Sequence, residues 1–123
     1  MERPFVWNTA VNSYDTDMNS VGSPQNMVKY LMEAAIEHTE RTEYPVKRLF
    51  EMKRGWVVIN WVIKVEEYPA YRDELKISTW AKYGSTLQAT RFFTVENNGR
   101  TVAEAASRWA FIDLEKRHAV RFP

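Results

Sequence analysis

The most regular pattern in the sequence runs from Gln25 to Arg41, where apolar residues recur every three or four positions. This spacing places them together on the surface of an α-helix. Ser23 suits the N-cap, and Pro24 suits the first helical position because the N–H that proline lacks would have no partner there. The charged residues form only a narrow stripe, so we expect most of the helix circumference to be buried. That stripe consists of Lys29, Glu33, Glu37 and Glu40.

Outside this helix, apolar and polar residues alternate with a period of two, which predicts β-strands. The strands are expected within residues 3–14, 56–66, 75–82, 87–95 and 101–113. The segment through Tyr44-Pro45 is predicted to be a loop. Asn98-Gly99 predicts a tight hairpin between the last two strands, because a type I′ turn needs positive φ at both central positions.

The order of these elements, one strand, one helix and then four strands, predicts an α+β fold. A long apolar helix wrapped by one curved antiparallel sheet is the hot-dog layout. The chain has 123 residues, enough for one domain and too few for two, so residues 1–123 are interpreted as a single hot-dog domain. Edge strands and an exposed sheet face usually call for a partner, which favours a homodimer or a higher oligomer. The spare aromatics for such an interface are Trp80, Phe92 and Trp109, although scattered surface aromatics or core residues explain them equally well.

Composition narrows the possible functions. The 17 basic and 16 acidic residues nearly balance, which gives no reason to expect nucleic acid or a membrane as a partner. The chain has no cysteine, which excludes disulfides, thiolate catalysis and cysteine-bound zinc. The histidines, His38 and His118, lack metal-ligand spacing, so no metal or other cofactor is expected. The N-terminus lacks a signal-peptide pattern and the longest apolar run is too short for a bilayer, which favours the cytoplasm.

Three segments resemble the first hot-dog half of acyl-acyl-carrier-protein thioesterases. They are SYDTDMNSVGSPQNMVKYLMEAAIEHTER, WVVINWVIKVEEYPAYRDELKISTWAKY and ATRFFTVENNGRTVAEAASRWAFIDLEKRHAVRFP, which together cover nearly the whole chain. The last two are the more specific, through their YP…D…I-x-T-W and R-x-F-x-V…NGR…A-x-S-x-W-x-x-I-D runs. The resemblance implies hydrolysis of a fatty acyl thioester carried by acyl carrier protein or coenzyme A.

In that family the chain has two hot-dog halves, and the catalytic residues lie in the second. This sequence stops about where the first half would end. It is therefore interpreted either as a truncated first half or as a single-domain relative that dimerises. The first interpretation implies a non-catalytic half that binds the acyl group or its carrier and needs a second hot-dog domain for activity. Hydratase chemistry on the same fold usually uses an acid–histidine pair, and no such local pair is seen in the sequence.

The lead-in to the helix carries the chemistry that the resemblance implies. The second half of such enzymes has a D-x-D-M-N-x-H-V-N pattern followed by a helical acid, and residues 15–19 match its first five positions. Glu33 falls at the spacing of the helical acid, whereas Val21 stands in place of the histidine. Some single-domain hot-dog thioesterases have a similar lead-in without histidine, and their catalytic carboxylate corresponds to Asp17.

Thioester hydrolysis needs a carboxylate to attack or to activate water, and donors for the developing oxyanion. The N-terminus of a helix supplies unpaired backbone N–H groups and a favourable dipole. Asp17 is accordingly predicted to be the nucleophile or general base, and Asn19 to orient water or the carbonyl. The N–H groups of Val21 and Gly22 would polarise the thioester. Glu33 would be a second base that reaches across a dimer interface.

Each of these assignments has a structural alternative. Asp17 and Asn19 stand where turn and capping residues are ordinary, and Glu33 belongs to a stripe that suits a solvated face. Met27 and Met32 are predicted to line an acyl slot, although core packing explains them as well. His38 lies on the apolar side, where a hydrogen-bonded structural histidine is more common than a catalytic one.

Two basic clusters suit the phosphates of a pantetheine carrier or an acidic carrier protein, although a solvated surface explains them as well. One contains Lys47, Arg48, Lys53 and Arg54, and the other contains Lys116, Arg117 and Arg121.

Overall fold

The computed structural model describes residues 4–11, 24–83 and 87–123. The two helices are α1 (Pro24–Glu40) and α2 (Val46–Glu51). The five strands are β1 (Phe5–Ala10), β2 (Arg54–Val65), β3 (Glu74–Lys82), β4 (Gln88–Asn97) and β5 (Arg100–Asp113). No helix in these ranges has the length and apolar character needed to cross a bilayer.

The strands form one antiparallel sheet in the order β1-β3-β4-β5-β2. Strands β4 and β5 form the hairpin that the Asn98-Gly99 dipeptide predicts, with φ values of 55° and 80° at these two residues. β1 and β2 are the edge strands. The hot-dog layout of one helix against one curved antiparallel sheet is confirmed.

Helix α1 packs on the concave face of the sheet because its apolar residues and the alternating apolar residues of the strands meet there. Met27, Leu31 and Ala34 on the helix are almost completely buried. Their partners in the same core include Leu75 and Ile77 of β3, Phe93 and Val95 of β4, and Ala103 and Ala105 of β5. This core holds the N-terminal half of α1 against the sheet.

The exposed residues in the body of α1 lie along one narrow stripe, in agreement with the predicted charged stripe, and this stripe also includes the apolar Ile36. Ile36 is 46% exposed, and Lys29 and Glu40 are exposed as well. One sheet covers only one side of a helix, so the opposite side stays open to solvent within the monomer. The N-cap predicted at Ser23 lies outside the described residues.

Helix α2 replaces the loop that the sequence predicts after α1. It begins after Pro45, and of its six residues only Leu49 is buried. A helix this short with one buried residue leaves no measurable period in the sequence, which is why it was missed. The other boundaries differ from the predicted ones by a few residues; β2, for example, begins at Arg54 because Arg54 pairs with Asp113 of β5.

Candidate functional site

A cavity of about 550 Å³ lies between the C-terminal half of α1, helix α2 and the concave face of the sheet. Most of its lining side chains are apolar, and they belong to both helices, to the sheet and to the segment after β5. They include Met32, Ala35, Ile36, Leu49, Trp56, Ala89, Trp109 and Phe122. The volume lies within the range of about 300–1,000 Å³ that is typical of small-molecule sites.

The cavity lies where α1 and the sheet both present small side chains. Larger side chains at these positions would fill the space between the helix and the sheet. Ala35 on α1 and Ala81 and Ala89 on the sheet all line it. Further toward the N-terminus of α1, the corresponding layer contains larger side chains such as Leu31 and Phe93, and it is closed. The alanines therefore set both the position and the depth of the open space.

The C-terminal tail supplies one wall of the cavity. The backbone N–H of Val120 donates to the carbonyl of Phe111 at 2.9 Å, which folds the tail back along β5. The Phe122 ring then packs among aromatic rings, with centroid distances of 5.1 Å to Trp56, 5.3 Å to Tyr83 and 5.0 Å to Phe111. These aromatic contacts form an apolar wall of the cavity from residues that are far apart in the sequence.

One cation of the wall, Arg54, is neutralised within the chain. Its guanidinium contacts the carboxylate of Asp113 at 3.0 Å. The backbone N–H of Lys116, the N–H of Glu115 and the charge of Arg54 all lower the pKa of Asp113. Asp113 is therefore ionised at neutral pH, and the two charges compensate each other.

A second cation, Arg91, lies on the inward-facing side of β4. Its Nη1 donates to Nδ1 of His38 at 2.8 Å and to Oγ1 of Thr79 at 3.1 Å. A guanidinium can only donate, so Nδ1 accepts and His38 is neutral with its proton on Nε2. Burial lowers the pKa of Arg91, and the nearby Tyr83 opposes this effect, but arginine keeps its charge at neutral pH.

The hydrogen-bonded His38 agrees with its predicted structural role. Its ring also stacks on Phe5 of β1, with the centroids 5.2 Å apart and the planes nearly parallel. These contacts join the C-terminal end of α1 to two strands of the sheet.

Most of the predicted catalytic groups lie outside the described residues. These are Asp17, Asn19, Val21 and Gly22. Glu33 is on α1, partly exposed, and does not line the cavity. The first helical residue, Pro24, precedes Met32 by eight positions, which corresponds to about 12 Å along the axis. The cavity therefore begins more than two helical turns from the predicted catalytic end of α1.

The structure separates the two methionines predicted to line an acyl slot. Met32 lines the cavity, whereas Met27 is only 1% exposed and belongs to the closed core. Five positions of an α-helix correspond to a rotation of about 140° between side chains, so the two residues point in different directions.

The aromatic and basic residues proposed for interfaces do not all lie on the free surface of the protein. Trp80 and Phe92 stack on each other with centroids 5.8 Å apart, on the face of the sheet away from α1. Trp109 was wrongly grouped with them, because it lines the cavity and its Nε1 donates to Ser107 Oγ at 2.7 Å. Several basic side chains make ion pairs within the chain: Arg48 with Glu43, Lys53 with Glu115, and Arg54 with Asp113.

Arg91 and the cavity itself were missed from the sequence. A signal was available for Arg91, because it takes an inward-facing position in the alternation of Ala89, Phe93 and Val95. A charged residue in the buried phase of a strand is unusual and marks a candidate site. Nothing in the described part of the chain groups three histidine or carboxylate side chains as a metal site would.

This chain is similar to known proteins over nearly its whole length. The family described as "Acyl-ACP thioesterase N-terminal domain" matches residues 3–123. A chloroplastic palmitoyl-acyl carrier protein thioesterase of Arabidopsis thaliana is 23% identical over 97% of this chain and 31% of its own length. The chloroplastic oleoyl-acyl carrier protein thioesterase 2 of the same plant is 21% identical over 90% of this chain and 32% of its own length. The chain thus spans about a third of these relatives.

Solved structures share the fold at low sequence identity. An acyl-ACP thioesterase from Bacteroides thetaiotaomicron has a TM-score of 0.88 at 22% identity, covering 97% of this chain and 49% of that one. The 12:0-ACP thioesterase from Umbellularia californica has a TM-score of 0.83 at 19% identity, covering 98% and 46%. A gentisyl-coenzyme A thioesterase has a TM-score of 0.88 at 18% identity, covering 97% and 96%.

The same fold therefore occurs both as nearly a whole chain and as about half of a longer one. The family match includes all but the first two residues of the sequence. On this evidence the chain belongs to the acyl-ACP thioesterase family and corresponds to its N-terminal domain.

Proposed function

We propose that this chain acts in the hydrolysis of fatty acyl thioesters of acyl carrier protein or coenzyme A, and that the cavity holds the acyl group. The observation that carries the proposal is an apolar cavity of about 550 Å³ in a member of this family. Transfer of a methylene group from water into such a space is worth about 0.8 kcal/mol. An acyl chain would therefore gain affinity with length until the cavity is full.

The proposed chemistry takes place at the segment before α1. Asp17 attacks the thioester carbonyl, which expels the thiolate and forms an anhydride that water then hydrolyses, or it takes a proton from a water that attacks the carbonyl and expels the thiolate directly. Asn19 orients the water or the carbonyl. The N–H groups of Val21 and Gly22 stabilise the oxyanion, since donors aimed at the developing charge lower the barrier. Glu33 acts as a second base on a partner across a dimer interface.

A second candidate function is that of an acyl-binding half without its own chemistry. Val21, which stands in place of the histidine of the lead-in pattern, favours this candidate. Under this candidate the cavity binds the acyl group while a second hot-dog domain supplies the catalytic residues.

The proposed partner is another hot-dog domain that pairs along the edge strand β2. Three apolar side chains of this strand are exposed: Val57 at 45%, Ile59 at 47% and Val62 at 69%. An edge strand with unpaired backbone groups and apolar side chains is a template for pairing with another strand. A second copy of this chain, or the second half of a longer protein, would cover it.

A hydrolysis assay separates the two candidates. Thiol release from acyl carrier protein and coenzyme A thioesters is followed with a thiol reagent, which the chain cannot consume because it has no cysteine. Wild type, Asp17→Ala, Asn19→Ala and Glu33→Gln are compared. Turnover by the wild type that is lost in Asp17→Ala supports the hydrolase, and equal rates in all four refute the site assignment.

Binding without turnover supports the second candidate, provided that adding a second hot-dog domain restores hydrolysis. If the chain neither hydrolyses nor binds any acyl thioester, both candidates are wrong. Binding of a non-hydrolysable acyl-pantetheine thioether is the matched measurement, because it reports the cavity independently of the catalytic groups.

A further inference from the structure

The wall of the cavity contains a polar layer that an ordinary hydrocarbon slot does not need. Arg91 pairs with Ala81 of β3 and Ser107 of β5 in the sheet register, and all three side chains face α1. Thr79 and Ser107 beside it are fully buried. The guanidinium thus lies on the floor of the concave face, under the C-terminal half of α1.

The charge of Arg91 is not neutralised by the part of the chain that the structure describes. Its side-chain hydrogen bonds go to a neutral imidazole and a hydroxyl, Tyr83 lies nearby, and none of the described carboxylates lies within ion-pair distance of it. The other charged groups of the cavity wall differ, because Arg54 contacts Asp113 and Glu43 lies 3.9 Å from Arg48. Arg91 is partly buried, and partial removal of an unpaired cation from water is unfavourable.

The guanidinium also has donors to spare. Both described side-chain hydrogen bonds of Arg91 use Nη1, which leaves Nη2 and Nε without a partner among the described residues. Two adjacent N–H groups on one edge of a guanidinium match the two oxygens of a carboxylate. His38 and Thr79 hold the opposite side of the group and thereby fix its orientation.

We infer that Arg91 is a recognition residue for the carboxylate of an aliphatic acid whose hydrocarbon chain occupies the cavity, with His38 and Thr79 as positioning residues. The inference rests on the proposed acyl-binding role of the cavity. Such a carboxylate has two sources, a free fatty acid or the far end of a dicarboxylyl thioester. Both present the same group to Arg91, and the experiment separates them.

The test measures binding by the quenching of tryptophan fluorescence, because Trp56 and Trp109 line the cavity. Decanoate and decan-1-ol are titrated at pH 8 below their aggregation concentrations into wild type, Arg91→Gln and Arg108→Gln. Arg108 is an exposed arginine of β5 and serves as the matched control. A hydrogen bond to a charged group is worth about 1.5–3 kcal/mol, so we expect Arg91→Gln to weaken decanoate binding by about tenfold or more.

Decan-1-ol binding should change less than about twofold in Arg91→Gln, and neither ligand should respond to Arg108→Gln. Equal decanoate affinity in wild type and Arg91→Gln would overturn the inference. A second test uses only the wild type, so it does not depend on whether a variant folds. The inference requires that the wild type binds decanoate more tightly than decan-1-ol. If the alcohol binds equally well, the inference fails while the proposed acyl cavity stands, and if neither ligand binds, both fail.

The source of the carboxylate is identified with two pantetheine thioethers, one carrying a decyl chain and one carrying an ω-carboxyl chain of the same length. Tighter binding of the ω-carboxyl compound, lost in Arg91→Gln, supports the dicarboxylyl thioester. Tighter binding of free decanoate without any gain for the ω-carboxyl compound supports the free fatty acid. If neither carboxylate gains over its uncharged counterpart, the inference is wrong.

Discussion

The ring of Phe122 lies parallel to the ring of Tyr83, with the two centroids 5.3 Å apart and an interplanar angle of 5°. This contact joins the C-terminal tail to the end of β3 across the cavity. The tail is thus part of the cavity wall, although it has no regular secondary structure of its own.

Phe122→Ala should remove this wall and lengthen the acyl chains that the cavity accepts. Stability should fall by about 1–3 kcal/mol, less than the loss for a fully buried phenylalanine because Phe122 is only partly buried. The midpoint of chemical denaturation and the binding of a series of acyl-pantetheine thioethers measure both effects. Arg121→Ala, at an exposed neighbouring position, should change neither quantity, and a similar loss there would contradict the explanation.

The carboxylate of Asp113 should make stability depend on pH in the acid range. Hydrogen bonds from Lys116 and Glu115 and the charge of Arg54 lower its pKa from the ordinary value of 3.8. A group whose pKa is lower in the folded state stabilises it above the unfolded pKa, and this contribution disappears as pH falls through the folded pKa.

Asp113→Asn keeps an acceptor for the two N–H groups but removes the charge. At pH 7 it should therefore have a lower melting temperature than the wild type. The difference should shrink as pH falls from about 4 toward the folded pKa of the carboxylate. Melting curves at several pH values measure it, and a difference that stays constant from pH 7 to pH 2 would refute the assignment.

The exposed apolar side chains of β2 predict an oligomer that a charge on this strand disrupts. Val62→Lys should shift the chain toward the monomer, because Val62 is 69% exposed on an edge strand and a buried unpaired lysine is unfavourable. Val6→Lys is the matched control, since Val6 is 41% exposed on β1, the opposite edge. Light scattering after size-exclusion chromatography measures the mass. Dissociation by Val6→Lys instead would move the interface to the other edge.

Local sequence patterns predicted the long helix and the five strands of the sheet. The alternation in β3, β4 and β5 and the Asn98-Gly99 turn are properties of neighbouring residues, so they can be seen without knowledge of the tertiary structure. Helix α2 could not be found in this way, because one buried residue, Leu49, sets no period.

The cavity depends on contacts between distant parts of the chain. Ala35 and Ala89 are separated by more than fifty positions and line the same open space only because the fold brings α1 and β4 to the same cavity. The same reason applies to Phe122, whose position follows from the folding of the tail along β5. Arg91 could have been singled out, because the inward phase of β4 was visible in the sequence and a charge in that phase needs an explanation.

The affinity of the chain for acyl-pantetheine thioethers of increasing length tests the cavity most directly, in wild type, Ala89→Leu and Ala106→Leu. Ala89 lines the cavity, whereas Ala106 alternates with inward-facing residues of β5 and lies on the other face of the sheet. At about 0.8 kcal/mol per methylene, affinity should rise about fourfold per carbon until the cavity is full. Ala89→Leu should reach this plateau at a shorter chain, and Ala106→Leu should match the wild type. An affinity that does not depend on chain length, or the same plateau in Ala89→Leu and wild type, would contradict the proposal that this cavity holds the acyl group.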